Sequence, residues 1–363
     1  MFENEYIKHI KPYSLVSHKA WEIEDKSKVL KLDWNEATIP PSPKVFEYIT
    51  NFLKKGFLNW YPDTNNRRLL RLLSKYTQLP IENLQYFAGS DSLHEYIATA
   101  FLSPGDTVVI VSPTYDNFRL TVELRGGNVK FYYLDSKLRF NLEDFKRFLE
   151  KITPKMVYIC NPNNPTGTIY EVSIIEDLLK NFPNILFLID EAYYEFGGVS
   201  CKDLVIKFNN LIISRTFSKA FALAGFRIAY AISSSYNINI LNKVRNPKSI
   251  STLSQIAAVA ALEDIEYMKN YVKEVLIAKE WFRKALKNLG IEAIGDGGNF
   301  LLLKIGKEKK EPLIKFLEKH LIFIRDYSHV KGMGDFVRIT IGTKKQMEKV
   351  LDTIKEFIAK YGY

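Results

Sequence analysis

Lys219 stands in the segment SRTFSKAFALAGFR, residues 214–227, among Phe217, Ala220, Phe221 and Ala222, with Arg227 eight residues downstream. Apolar surroundings disfavour an ammonium charge. An amine held there loses basicity and becomes a nucleophile able to condense with a carbonyl to an imine. The structural alternative is a surface lysine that lays its stem on an amphipathic turn. Three further groups come after apolar, β-rich runs as Lys219 comes after LIISRTFS. They are Tyr115 after VVIVSPT, Asn164 after VYIC, and Asp190 closing ILFLI. Ligands of open α/β sheets bind at the carboxyl ends of strands, so four such residues at four strand ends outline one candidate site.

The elements that must position them alternate. DTVVIVSP, MVYICNP, NILFLIDEA and NLIISRT read as short strands. TNNRRLLRLLSKYTQL, SDSLHEYIATAFL, NLEDFKRFLEKI and VSIIEDLLKNF have apolar residues at helical spacing. Ser90 or Asp91 is expected to cap the second of these helices. Strand and helix in alternation over residues 66–232 predict a mostly parallel sheet covered by helices on both faces, the α/β class. After AGFRIAYAIS the texture changes to one helical run over about 252–289, then NFLLLKI, EPLIKFLEKH, LIFIRD, FVRITIG and a last helix. That second part reads as a smaller α+β domain. The expected division is residues 1–40 as an N-terminal arm belonging with the small domain, 41–248 as the large domain, and 249–363 as the small C-terminal domain.

Composition bounds the function. A chain of 363 residues fits one large and one smaller domain, and 47% hydrophobic with 25% charged residues is ordinary for a globular protein. No apolar run reaches the roughly 18 residues of a membrane span, and the start MFENEYIKHIKPYS lacks a secretory pattern. Two cysteines, Cys160 and Cys201, are too few for a disulfide framework, so a cytoplasmic setting is expected. The net charge of +10 is scattered; KEKKEP and TKKQMEK mix acids with bases, which argues against a nucleic-acid partner. No Cys/His cluster predicts a metal, and no glycine-rich nucleotide loop is present.

An aldehyde cofactor such as pyridoxal phosphate needs a carboxylate that keeps its ring nitrogen protonated, because that proton makes the ring an electron sink. Asp190 can be that carboxylate, or can cap the following helix. Tyr193 and Asn164 can hydrogen-bond the ring oxygen. Tyr115 can stack on the ring, or simply pack. AGSDS, residues 88–92, joins a glycine to a helix start, where backbone N–H groups and the helix dipole meet anions. Thr216, Ser218 and Arg227 add donors for a phosphate.

CNPNNPTG, DEAYYEF, SRTFSKAFALAGFR and VRITIGT, in this order and spacing, resemble the class I/II aminotransferases of pyridoxal-phosphate fold type I. KPY near the start, KLDWNEATIPPSPKV, WYPDTN, GSDSLHEYIATAFLSPGD, SPTYDNFR and IFIRD are similar to the histidinol-phosphate aminotransferase subgroup, so the resemblance covers nearly the whole chain. It implies pyridoxal 5'-phosphate held as an aldimine on Lys219, which then shuttles the reaction's proton. Asp190 would pair with the pyridine nitrogen, Tyr193 and Asn164 would hold the ring oxygen, and Tyr115 would stack. Ser90, Asp91, Thr216, Ser218 and Arg227 would surround the cofactor phosphate. Tyr61 would reach the phosphate of a neighbouring subunit, implying a homodimer. Arg338 would grip the carboxylate of glutamate or another donor, Arg325 a substrate phosphate, and Asn35 would line the substrate side.

The chain departs from the subgroup in its arm, reading NEATIPPSP where the subgroup reads close to NENPYGPSP, with Trp34 in place of a small residue and SHKAWEIEDKSKV before it. Histidinol phosphate is the first substrate expected. The alternatives are an aminotransferase for another small phosphorylated ketone or amine in surface-polysaccharide synthesis, and a phosphoserine- or phosphothreonine-type decarboxylase. About 30 residues precede KLDWNE, too few for the DNA-binding domain of a regulator built on this fold.

Overall fold

The computed structural model describes residues 2–8, 10 and 19–362; the KPY segment, residues 11–13, lies outside them. Strand β1 (Leu30–Lys31) precedes seven strands that share one sheet. These are β2 (Leu84–Phe87), β3 (Thr107–Ser112), β4 (Asn128–Tyr133), β5 (Met156–Cys160), β6 (Leu186–Asp190), β7 (Leu211–Thr216) and β8 (Ala229–Ser233). Their order is β2-β8-β7-β6-β5-β3-β4. Neighbours from β7 to β4 are parallel, and β8 runs antiparallel to both β7 and β2.

The sheet is covered on both faces, as its continuous apolar runs require. Val109, Val157, Ile189 and Ile213 enter one core, while Val108, Tyr158, Leu188 and Ile212 enter another. Alternate residues of each strand thus serve opposite faces. The four expected helices form over Arg67–Thr77, Ser90–Phe101, Leu142–Ile152 and Val172–Asn181. One cap differs from expectation. Gly89, at φ 89°, occupies the N-cap, and Ser90 is already helical. Glycine tolerates that backbone, and a Cβ there would lie 2.7 Å from Arg227 Nη2.

The smaller part holds β9 (Glu292–Ile294), β10 (Phe300–Lys304), β11 (Ile322–Phe323), β12 (Arg325–Asp326) and β13 (Phe336–Thr340). Four of them make an antiparallel sheet in the order β12-β13-β10-β9, and β11 pairs in parallel with β1. LIFIRD therefore splits between two sheets, tying the N-terminal arm to this part. The single helical run expected over 252–289 is two helices, Thr252–Leu262 and Ile265–Asn288. Asp264 leaves helical geometry between them, at φ −128° and ψ 50°, and its carboxylate accepts a hydrogen bond from the Ser42 hydroxyl.

Beneath the strand ends a buried ion pair fixes the turn after β6. Arg215 donates through Nε (2.9 Å) and Nη2 (2.8 Å) to Glu191 Oε2, and the Cys201 N–H donates to Glu191 Oε1 at 2.6 Å. Removing one partner would leave the other charge buried and alone.

Candidate active site

β5, β6 and β7 end side by side, with Cys160 paired to Asp190 and Asp190 paired to Ser214. Asp190, 4% exposed, therefore stands at the middle of the sheet's carboxyl edge. Its Oδ1 accepts from the Ala192 N–H (3.1 Å) and Ser214 Oγ (3.2 Å), and its Oδ2 from Tyr158 OH (2.9 Å). All three partners donate, which suits a carboxylate. Asp190 thus caps the turn that follows through the Ala192 N–H, while its other two contacts come from the neighbouring strands.

The turn after β6 brings Tyr193 across from the loop after β5. Tyr193 OH accepts from Asn164 Nδ2 and Asn35 Nδ2, each at 3.2 Å. Burial pushes the phenol's pKa up. Asn164 Oδ1 in turn accepts from Arg338 Nη1 at 2.5 Å and Tyr327 OH at 3.1 Å. Arg338 lies on β13, so this contact joins the small sheet to the large one. Its Nη1 also donates to Tyr327 OH (2.9 Å) and its Nη2 to the Asp33 carbonyl (2.5 Å). Arg338 is buried, and its Nε has no hydrogen-bond partner. A buried guanidinium held by neutral oxygens suits an incoming carboxylate.

Lys219 lies just beyond β7 and is partly buried. Burial first, and then the Arg338 charge, lowers its pKa from 10.5 to about 8. Nζ donates to the Trp34 carbonyl at 2.8 Å and lies 5.7 Å from the centre of the Tyr193 ring. The snorkelling alternative therefore does not describe this lysine, whose amine points inward to Tyr193 and the arm.

A donor group gathers at the start of helix Ser90–Phe101. Arg227 Nη1 reaches Ser218 Oγ (3.4 Å), and its Nη2 reaches Asp91 Oδ2 (3.5 Å). Thr216 Oγ1 donates to Ser218 Oγ at 2.9 Å. Tyr115 OH donates to Asp91 Oδ1 at 3.1 Å, which sets the phenol ring beside the helix start. A helix N-terminus, two hydroxyls and a guanidinium are groups that could hold a phosphate.

Arg325 sits directly opposite Arg338 across β12 and β13. Tyr61 is not brought to this group. It is 80% exposed, with Lys248 Nζ 4.8 Å from its ring centre. Among the described residues no cluster of three or more ligating side chains could hold a metal ion.

A model of the family described as aminotransferase class I and II matches residues 27–354. The chain belongs to the class I and II aminotransferases. It is a pyridoxal-phosphate-dependent enzyme of fold type I. The residues present fit that cofactor: Lys219 is an amine of lowered basicity, Asp190 is a buried carboxylate, and Arg227 and Ser218 offer donors to an anion at the start of helix Ser90–Phe101. A dihydroxyacetone phosphate transaminase of Campylobacter jejuni is 48% identical over 100% of this chain and 99% of its own. A histidinol-phosphate aminotransferase of Ruminiclostridium cellulolyticum is 36% identical over 90% of this chain and 91% of its own. The fold matches histidinol-phosphate aminotransferase from Sinorhizobium meliloti, solved with pyridoxal 5'-phosphate, at a TM-score of 0.88 and 24% identity, covering 99% of this chain and 98% of that one.

Sequence reasoning left out Tyr158, Ser214, Tyr327 and the Trp34 carbonyl. Two of them depend on strand register: Ser214 is the cross-strand neighbour of Asp190, and Tyr158 lies two residues before Cys160, the other neighbour of Asp190.

Proposed function

We propose that this aminotransferase acts on a small phosphorylated ketone, with dihydroxyacetone phosphate the first candidate and glutamate the amino donor. The observation that carries the substrate is the 48% identity over the whole chain to a dihydroxyacetone phosphate transaminase, against 36% to a histidinol-phosphate aminotransferase. This takes up the phosphorylated-ketone alternative raised by the altered arm.

In this reading Lys219 holds the cofactor and later moves the proton at the substrate's reacting carbon. The Trp34 carbonyl keeps the released amine in place. When bound, pyridoxal phosphate would supply an electron sink. Asp190 would pair with the pyridine nitrogen, Tyr193 and Asn164 would hold the ring oxygen, and Tyr115 would stack on the ring. Ser90, Asp91, Thr216, Ser218 and Arg227 surround the phosphate. Arg338 takes the donor's carboxylate, a role its buried and unpartnered Nε supports. Arg325 takes the ketone's phosphate, and Asn35 orients Tyr193 beside the substrate.

The enzyme works as a homodimer in which Tyr61 serves the partner's phosphate site. The exposure of Tyr61 and of Trp60, 67%, supports an apolar surface covered by a second copy. The chain is divided into the arm, 1–40, the large domain, 41–248, and the small domain, 249–363; the β1–β11 pairing supports grouping arm with small domain. Among the described residues no helix is long and apolar enough to cross a membrane, and buried, unpaired Cys160 and Cys201 suit the cytoplasm.

The test supplies loaded enzyme and glutamate to a panel of phosphorylated ketones and tracks the amine products by mass. Dihydroxyacetone phosphate should give its 2-amino counterpart and 2-oxoglutarate. Turnover with the ketone of histidinol phosphate, and none with dihydroxyacetone phosphate, would return the assignment to the histidinol-phosphate class.

A further inference from the structure

We propose that His94 is a positioning residue for Asp190, acting through the hydroxyl of Ser214. The inference rests on Asp190 pairing with the pyridine nitrogen. His94 lies one turn into helix Ser90–Phe101 and is 1% exposed. Its Nε2 is 2.9 Å from Ser214 Oγ and 4.0 Å from Asp190 Oδ2, while Ser214 Oγ is 3.2 Å from Asp190 Oδ1. Its Nδ1 is buried without a hydrogen-bond partner. Phe118 and Tyr158 meet the imidazole edge to face at 5.5 and 5.9 Å, and stack on each other at 4.8 Å, so the ring is held by packing.

These contacts fix where the protons sit. A carboxylate only accepts, and a serine hydroxyl has one proton to give. If Ser214 donates to Asp190, its oxygen must accept from His94 Nε2–H, and Nδ1 is left as a bare lone pair. The other tautomer turns the Ser214 proton away from Asp190 and buries an Nδ1–H with no acceptor. That arrangement loses two interactions where the first loses one. The geometry therefore selects a relay from His94 Nε2–H to Ser214 Oγ–H to Asp190. With Tyr158 and the Ala192 N–H, the relay sets three donors on the carboxylate. Those donors draw charge from Asp190 and leave the shared proton on the pyridine nitrogen.

Ring ¹⁵N NMR of histidine-labelled enzyme, with and without cofactor, reads the tautomer without any substitution at the site. The relay requires His94 in the Nε2–H form. His94→Leu should lower kcat by up to about tenfold, the upper end of what one neutral hydrogen bond contributes. KM for glutamate should stay within about twofold, since glutamate binding does not pass through His94. The ¹⁵N signal of the bound cofactor's ring nitrogen should move toward the unprotonated position. His94→Gln, whose amide N–H can replace Nε2–H, should restore most of both. An Nδ1–H tautomer overturns the proposal, as does His94→Leu with an unmoved ring-nitrogen signal, whether or not kcat falls. Asp190→Asn separates the two failures. Retained turnover there would remove the underlying pairing, whereas its loss beside an unaffected His94→Leu would remove only the relay.

Discussion

Arg325 and Arg338 are direct cross-strand partners on antiparallel β12 and β13. Directly opposed residues project from the same face of a sheet, and like charges so placed oppose folding. Arg338 spends its Nη groups on Asn164, Tyr327 and the Asp33 carbonyl, all neutral acceptors. Under the proposed function, this register gives one arginine to a substrate carboxylate and the other to a substrate phosphate.

Removing each arginine separately should divide the two half-reactions. Arg325→Ala should weaken catalysis on the phosphorylated ketone by at least ~2 kcal/mol, the scale for removing one partner of a desolvated charged pair. The glutamate half-reaction should change far less. Arg338→Ala should reverse the pattern, and single-turnover absorbance traces with each substrate read both. Equal losses in the two half-reactions for Arg325→Ala would make it a folding residue.

Asp190→Asn should bind cofactor and transaminate orders of magnitude more slowly. An amide cannot balance a protonated pyridine, yet it fills the same space beneath Tyr158 and Ser214. The check is kcat beside the cofactor content of the purified variant. Turnover near that of the parent would remove Asp190 from the chemistry.

Lys219 links charge to stability before the cofactor binds. Its pKa, about 8, lies below the ordinary 10.5 because burial and Arg338 disfavour the ammonium. Below pH 8 folded and unfolded chains both hold the proton, and the fold bears the full penalty. Between about 8 and 10.5 the folded chain has released the proton and the unfolded chain keeps it, so stability rises with pH. Cofactor-free Lys219→Met should accordingly melt higher than cofactor-free parent at pH 7. The gap should narrow as pH climbs through 8 to 10.5. A pH-independent gap would show that the lysine's charge is not the cause.

Tyr61 should act in the partner's site. Mixing inactive Lys219→Ala with Tyr61→Phe protomers, through reversible dissociation, should give heterodimers in which one site carries both lesions and the other neither. Activity should recover above the average of the two parents. No recovery from mixed dimers of confirmed composition would mean that the sites are not shared.

The strand-end residues were legible because parallel strands of a covered sheet read as short Val/Ile-rich runs, and the residues just after each run lie at its carboxyl edge. Lys219, Asp190 and Asn164 come together on that logic, and Tyr193 on the turn beyond Asp190. The support under Asp190 was not legible. Ser214 and Tyr158 look like ordinary strand residues until register pairs β6 with β7 and β5. β4 escaped notice for a different reason: NVKFYY is an edge strand, exposed at both ends and at Lys130, with no residue fully buried. Neither did helical periodicity reveal the break at Asp264, which depends on Ser42, 222 residues away. The opposition of Arg325 and Arg338 is likewise a matter of register, which spacing along the chain does not encode.

The most direct measurement is reduction of the loaded enzyme with borohydride, then proteolysis and peptide mapping. One labelled peptide is expected, spanning SRTFSKAFALAGFR, with the pyridoxyl group on Lys219 and none in the Lys219→Ala protein. A label on any other lysine, or an undiminished label in Lys219→Ala, would contradict the site as a whole.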